Sequence, residues 1–180
     1  MPQTIIGVLF ILIILTSAWL ICFYNMMTNK KMEVDETCEQ IKSLVCKKAD
    51  LTSALAKKIF QYNDDELLAE IDSRNHLLYL DVNSIIECSD RMNKIIDNMF
   101  ELSEGQLDRF KEGYLTVIKL QLSSIEEKLV DAIHYHNYAV ELHNKYISLF
   151  PNNIATSIIG ARELIPLKAY FEVKGLNKFD

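Results

Sequence analysis

Glycine and proline are nearly missing from this chain, with five and three in 180 residues. Tight turns and sheet corners draw on both, so a many-turned β fold is disfavoured and long helices with few connections are favoured. Basic character is also lacking. The formal net charge is -6, and no stretch is rich in Lys and Arg. Nucleic-acid binding needs a basic face to neutralise phosphates, so that class is excluded. The four cysteines, Cys22, Cys38, Cys46 and Cys88, include no C-x-x-C pair. That spacing supports neither a zinc nor a redox motif, and buried reduced thiols are expected. Phosphate loops, nucleophile elbows and H-E-x-x-H zinc sites have no counterpart here. No enzymatic activity and no cofactor are expected.

What the chain does have is one long apolar run. From Ile5 to Met27 there is no charged side chain, and Lys30 is the first. About 20 helical residues cross the hydrocarbon core, so this segment is long enough to span it. Trp19 and Tyr24 lie toward its C-terminal end, where interfacial aromatics belong. A cleaved signal peptide is the competing reading. It requires a basic leader and a small-residue cleavage site, whereas Met1–Thr4 has no Lys or Arg and no good site follows Ala18. Lys30 and Lys31 flank only the far side. The positive-inside rule then places the N-terminus outside and the remainder in the cytoplasm.

Apolar stripes with helical spacing follow. The first runs Val34, Cys38, Ile41, Val45, Thr52, Leu55, Ile59, Tyr62, with no Pro or Gly between Met27 and Tyr62, so the membrane helix is expected to continue into it. A turn is expected at Tyr62–Asp65, where Asn63 and Glu66 resemble a capping box. The second stripe runs Ile71, Leu78, Val82, Ile85, Met92, Ile96, Met99 and ends near Leu102; Ser103 with Gln106 is the next cap. The third helix is expected from about Glu104 to Leu149, ended by Pro151 and Asn152-Asn153. A short amphipathic segment, Ile154 to about Ile165, stops at Pro166. It either packs back on the helices or lies on a membrane surface.

The expected class is therefore all-α: an N-terminal transmembrane helix, then an elongated antiparallel bundle of three long helices plus a short C-terminal one. The expected segments are 1–4 as a lead, 5–27 in the membrane, 28–165 as the bundle and 166–180 as a tail.

Five residues attract attention as candidates on the third helix. His136 and His143 share one face, but two turns separate them by about 10.5 Å, too far for one zinc ion. A pH-sensitive seam is the functional alternative to a purely structural role. Asn137, Val140 and Asn144 have a-d-a spacing, in which a polar Asn within an apolar seam sets register. Acidic pairs such as Asp64-Asp65 and Glu126-Glu127 are expected on solvated faces, since adjacent helical positions do not converge.

One pattern is more specific. Near the apolar run stand Tyr24-Asn25, Glu36-x-x-Glu39-Gln40-Ile41 and Lys47-Lys48-Ala49-Asp50-Leu51. Later come Asn137-x-x-Val140-x-x-x-Asn144-x-x-Ile147-x-x-Phe150-Pro151-x-Asn153-Ile154-Ala155 and then Ala169-Tyr170-Phe171-Glu172. Together these resemble the LemA family of bacterial membrane-anchored helical proteins. His136 and His143 stand where that family usually has tyrosine, and Leu51–Leu55 lacks the family's usual proline. The resemblance implies an N-terminal anchor and an elongated antiparallel bundle, and it implies no catalytic activity. The function expected is a single-pass membrane scaffold or adaptor with a membrane or cytosolic protein partner, or with further copies of itself. The alternative is a sensor that passes a signal through the helix joining anchor to bundle.

Overall fold

A computed structural model describes residues 2–60, 81–104 and 112–167. The described residues form four helices: α1 (Pro2–Phe60), α2 (Val82–Glu104), α3 (Glu112–Ser148) and α4 (Asn152–Ile159). No strand occurs among them. They fall into two compact units, the first from Met1–Glu36 and His136–Pro166, the second from Thr37–Tyr135 and Leu167–Asp180, each through its described residues. Both α1 and α3 contribute to each unit.

The expected continuation of the apolar segment into a soluble-type helix is present as the single 59-residue α1. Nothing in its sequence breaks it after Pro2, which stands where its missing N–H is not needed. Along the apolar run the side chains from Ile5 to Leu15 are exposed, several by more than half. The hydroxyls there are satisfied internally. Thr16 donates to the Leu12 carbonyl (2.9 Å) and Ser17 to the Ile13 carbonyl (2.7 Å). Such bonding to the preceding turn allows a hydroxyl to sit in an apolar environment.

In the second unit the core forms two layers. Ile41, Val45 and Ala49 of α1 meet Ile85, Ile86 and Met92 of α2 and Leu129, Ala132 and Ile133 of α3, with Leu167 added. Leu55 and Ala56 meet Ile96 and Met99, and Ile118 and Leu122. Residue numbers rise together along α1 and α2 and fall along α3, so α3 opposes the other two. The pattern is the alternating three–four spacing of packed helices: Ile85, Ser89, Met92, Ile96 and Met99 on α2 are all buried. Each fully buried Ile or Leu contributes about 1.5–3 kcal/mol.

Helix α2 begins at a side-chain cap. The Asp81 carboxylate accepts from the backbone N–H of Asn83 (3.0 Å) and Ser84 (3.1 Å), and from the Ser84 hydroxyl (2.6 Å). These bonds, the Ser84 hydroxyl first, hold the Asp81 carboxyl below its usual range. The expected start of the second stripe at Ile71, the turn at Tyr62–Asp65 and the Gln106 part of the later cap lie outside the described residues.

The first unit is built differently. Phe23 is buried by stacking on Tyr146 at 5.6 Å, with Trp19 6.2 Å behind it. Val34 packs on Ala139, Val140 and Leu164. Helix α3 ends at Ser148, close to the expected Leu149. The short helix that follows is shorter than expected. It closes at Ile159 because Gly160 adopts a left-handed conformation (φ 73°), its N–H bonding back to the Thr156 carbonyl.

Candidate functional site

Lys48 is fully buried, although its neighbour Lys47 is exposed. Its ammonium donates to the Ser89 carbonyl (2.9 Å), to the Ser89 hydroxyl (2.8 Å) and to Glu126. Three acceptors thus meet the three N–H donors of one ammonium. A buried cation without such partners costs several kcal/mol, so the node is a condition for α1, α2 and α3 to pack here. The Thr52 hydroxyl donates to the Lys48 carbonyl (2.8 Å), one turn on. The expectation that Glu126 belongs to a solvated face is therefore corrected. Its carboxylate turns inward, to a side-chain exposure of 22%, because it is the counter-ion of Lys48. Glu127 remains exposed.

The histidines lie in the first unit. His136 and His143 are both buried, at 3% exposure. Burial lowers the pKa of each below its ordinary value. For His136 a bond to the Val34 carbonyl opposes that shift. For His143 the Arg162 carbonyl opposes it, while the charges of Lys31 and Lys30 reinforce it. His143 Nδ1 is buried with no hydrogen-bond partner. Protonating that nitrogen would create a donor with nothing to accept it, near two cations. In both cases burial disfavours the charged imidazolium in the folded protein. His134, two residues from His136, is exposed.

The remaining sequence candidates divide. Val140 is buried, while Asn137 and Asn144 are half-buried. Asn144 acts as a clamp: its amide donates to the Leu164 carbonyl (2.8 Å) and accepts from the Leu164 N–H (2.8 Å). It thereby replaces a backbone partner for the segment after α4, and the polar layer in the seam comes from the histidines. Phe150, Pro151 and Asn153 are exposed, and Ala155 is buried. This stretch forms a corner. The Asn152 side chain donates to the Tyr146 carbonyl (3.1 Å), and Thr156 donates to the Ile147 carbonyl (3.0 Å). Lys30 lies over the Tyr146 ring, 5.8 Å from its centre, and Lys31 is exposed.

On the second unit two shallow hollows adjoin between α1 and α3, of about 420 and 520 Å³, and both are edged by Lys47 and Lys128. Asp50 lines one and Asp131 the other, so neither has a single charge sign. Among the described residues no three His, Cys, Asp or Glu side chains are grouped to hold a metal ion. The four cysteines are unpaired with one another, Cys46 buried in the core.

A family model described as LemA family matches residues 37–178. The chain belongs to the LemA family. Comparisons with curated proteins and with solved structures each gave no match. The match takes in the Lys48 node, both histidines, the Asn144 clamp and the α3–α4 corner of this LemA chain. Residues 2–36, including Lys30 and Lys31, precede it. Among the described residues one helix, within Gln3–Lys58, is long and apolar enough to cross a membrane, and none of its most apolar window is buried against protein.

Proposed function

We propose that this LemA-family protein is a non-enzymatic scaffold, tethered to the cell membrane by α1 and presenting a helical core, in which α3 runs against α1 and α2, on the cytoplasmic side. The observation that carries this reading is the continuity of α1. Its first part exposes isoleucine, leucine and phenylalanine on every face, and the same helix then supplies Ile41, Val45, Lys48 and Leu55 to a packed core. An apolar surface of that extent is soluble only in lipid or against protein. Lys30 and Lys31 set the orientation by charge asymmetry. Tethering raises the effective concentration of the bundle for a membrane or cytosolic protein partner, and exposed side chains such as Leu120 and Tyr138 offer surface for one, or for another copy.

The test is labelling in intact cells with a membrane-impermeant thiol reagent, on chains carrying a single cysteine at Gln3 or at Lys178. Reaction at Gln3 alone supports the reading. Reaction at Lys178 alone reverses the orientation and moves the search for partners to the opposite side. Purification in mild detergent should bring down a reproducible protein partner; repeated recovery of the bare chain would remove the scaffold role.

The same continuity supports a second reading, in which α1 passes movement from the membrane to the core. Lys31→Pro would interrupt the helix at the junction and should abolish signalling with the core intact. An unchanged phenotype rejects that reading.

A further inference from the structure

Besides the apolar run of α1, the first unit exposes a second group of apolar side chains, at the corner after α3. Phe150 is 79% exposed and Ile158 75%, and Leu149, Ile154 and Ile159 are exposed beside them. Between Lys145 and Arg162 the chain has no charged side chain. Nor is α4 merely undocked: Ala155 is fully buried and the Thr156 hydroxyl bonds to α3. The helix therefore turns Ala155 and Thr156 inward and its isoleucines outward, the reverse of a helix facing water.

The position of the corner relative to α1 is set within the same unit. Tyr146 stacks on Phe23 and lies under the ammonium of Lys30, so its ring is held between those two levels of α1. Val34 meets Ala139 and Val140, so α3 runs against α1 here. Residues beyond Tyr146 are then nearer the N-terminal end of α1. Ser148, the end of α3, is two residues on and at 1.5 Å per residue about 3 Å further in that direction, and Phe150 follows it in the turn. This brings the corner level with the last turns of the charge-free run that ends at Met27.

We propose that the α3–α4 corner is a second membrane contact, in which Phe150, Ile154 and Ile158 enter the interfacial layer of the leaflet from which α1 emerges. This rests on the reading of α1 as a membrane anchor. Lys145 and Arg162 border the apolar corner in sequence, Lys30 and Lys31 follow the charge-free run of α1, and these side chains supply cations at headgroup level, as in surface-lying amphipathic helices. The partner is thus a phospholipid surface with anionic headgroups. A helix alone leaves the attached unit free to swing, whereas two contacts hold it in one orientation against the bilayer.

The experiment uses the purified full-length chain, one copy per nanodisc, in mixed zwitterionic and anionic phospholipid. Native cysteines are replaced by alanine, retention of helicity is checked by circular dichroism, and a bimane label is placed at Ile158→Cys. The control is Ser123→Cys, an exposed site on α3 about six turns before Tyr146. The expected result is blue-shifted emission at 158 that a lipid-borne nitroxide quenches several-fold more than at 123, with the opposite order for aqueous iodide. Quenching at 158 by iodide as strong as at 123 overturns the proposal, and so does shielding from both quenchers, which would mean that protein covers the corner. Alkaline extraction of the same chain from membranes separates the two readings. A chain that resists extraction but is water-exposed at 158 keeps its anchor and loses the corner contact. A chain that is extracted yet quenched by lipid at 158 keeps the corner contact and loses the anchor.

Discussion

Glu126→Ala should destabilise the bundle core more than any other single change to a charged side chain described above. It removes the counter-ion of Lys48, whose side chain is 1% exposed, while the hydrogen bonds to the two Ser89 oxygens stay. Breaking one side of a buried ion pair costs about 3–5 kcal/mol. Glu126 itself keeps some solvent access, so water can partly replace it and the lower end, about 3 kcal/mol, applies. With a slope of about 2 kcal/mol per molar urea, the midpoint should fall by about 1.5 M. Lys48→Met should be milder. It removes the charge while retaining the stem, and the freed Glu126 carboxylate can turn to water. The double variant should then lie close to Lys48→Met, because the Glu126 deletion matters only while the ammonium is present. Urea unfolding followed by far-ultraviolet circular dichroism, on protein held in nanodiscs, reads all three. A midpoint for Glu126→Ala within about 0.3 M of the parent would show that water reaches Lys48 freely, and the argument from burial would fail.

Three further outcomes follow from the first unit and its contacts. The folded pKa values of His136 and His143 are depressed, so the unfolded chain binds more protons as pH drops through about 6.5, and stability present above that value is lost on acidification. Thermal unfolding between mildly acidic and neutral pH should show it, and a flat profile would reject the histidine seam as pH-sensitive. His143→Phe should reduce the slope, since it removes the ring that lies near Lys30 and Lys31. Asn144→Ala should release the segment around Leu164 at a cost of about 1–3 kcal/mol, seen as faster amide exchange there with little change at Ile85 or Leu129; uniform exchange changes would contradict a local clamp.

Several features were legible because they depend on chain-local chemistry. The Ile5–Met27 run has no charge to solvate, so its length alone marks a membrane-compatible helix. The absence of Pro and Gly after it makes α1 continuous. The second-helix stripe from Val82 to Met99 appears as read, with Ser89 in register and buried. The family motif, including Phe150-Pro151 and Ala155, identified the family from side-chain spacing alone.

The tertiary structure decided which polar residues the core would accept. The first stripe has a gap between Val45 and Thr52, and Lys48 fills it; the gap was the available signal, but a lysine in a seam is tolerable only where acceptors wait on other helices. Ser89 and Glu126 supply them from 41 and 78 residues away, a distance that periodicity cannot bridge. On α3 the buried line runs Leu122, Leu129, Ile133, His136, Val140, His143, Ile147, with Glu126 in the same register. The histidines were legible as seam candidates from their spacing, but a glutamate reads as surface in sequence because its exposure depends on its partners, and only packing brings those partners into place. Asn144 likewise has the spacing of a seam residue, and its role was settled by Leu164 folding back to meet it. Sequence determined the helices and their apolar faces through local sterics and solvation; the pairing of buried charge and polarity belongs to the tertiary structure, because those free energies exist only between segments that the fold brings together.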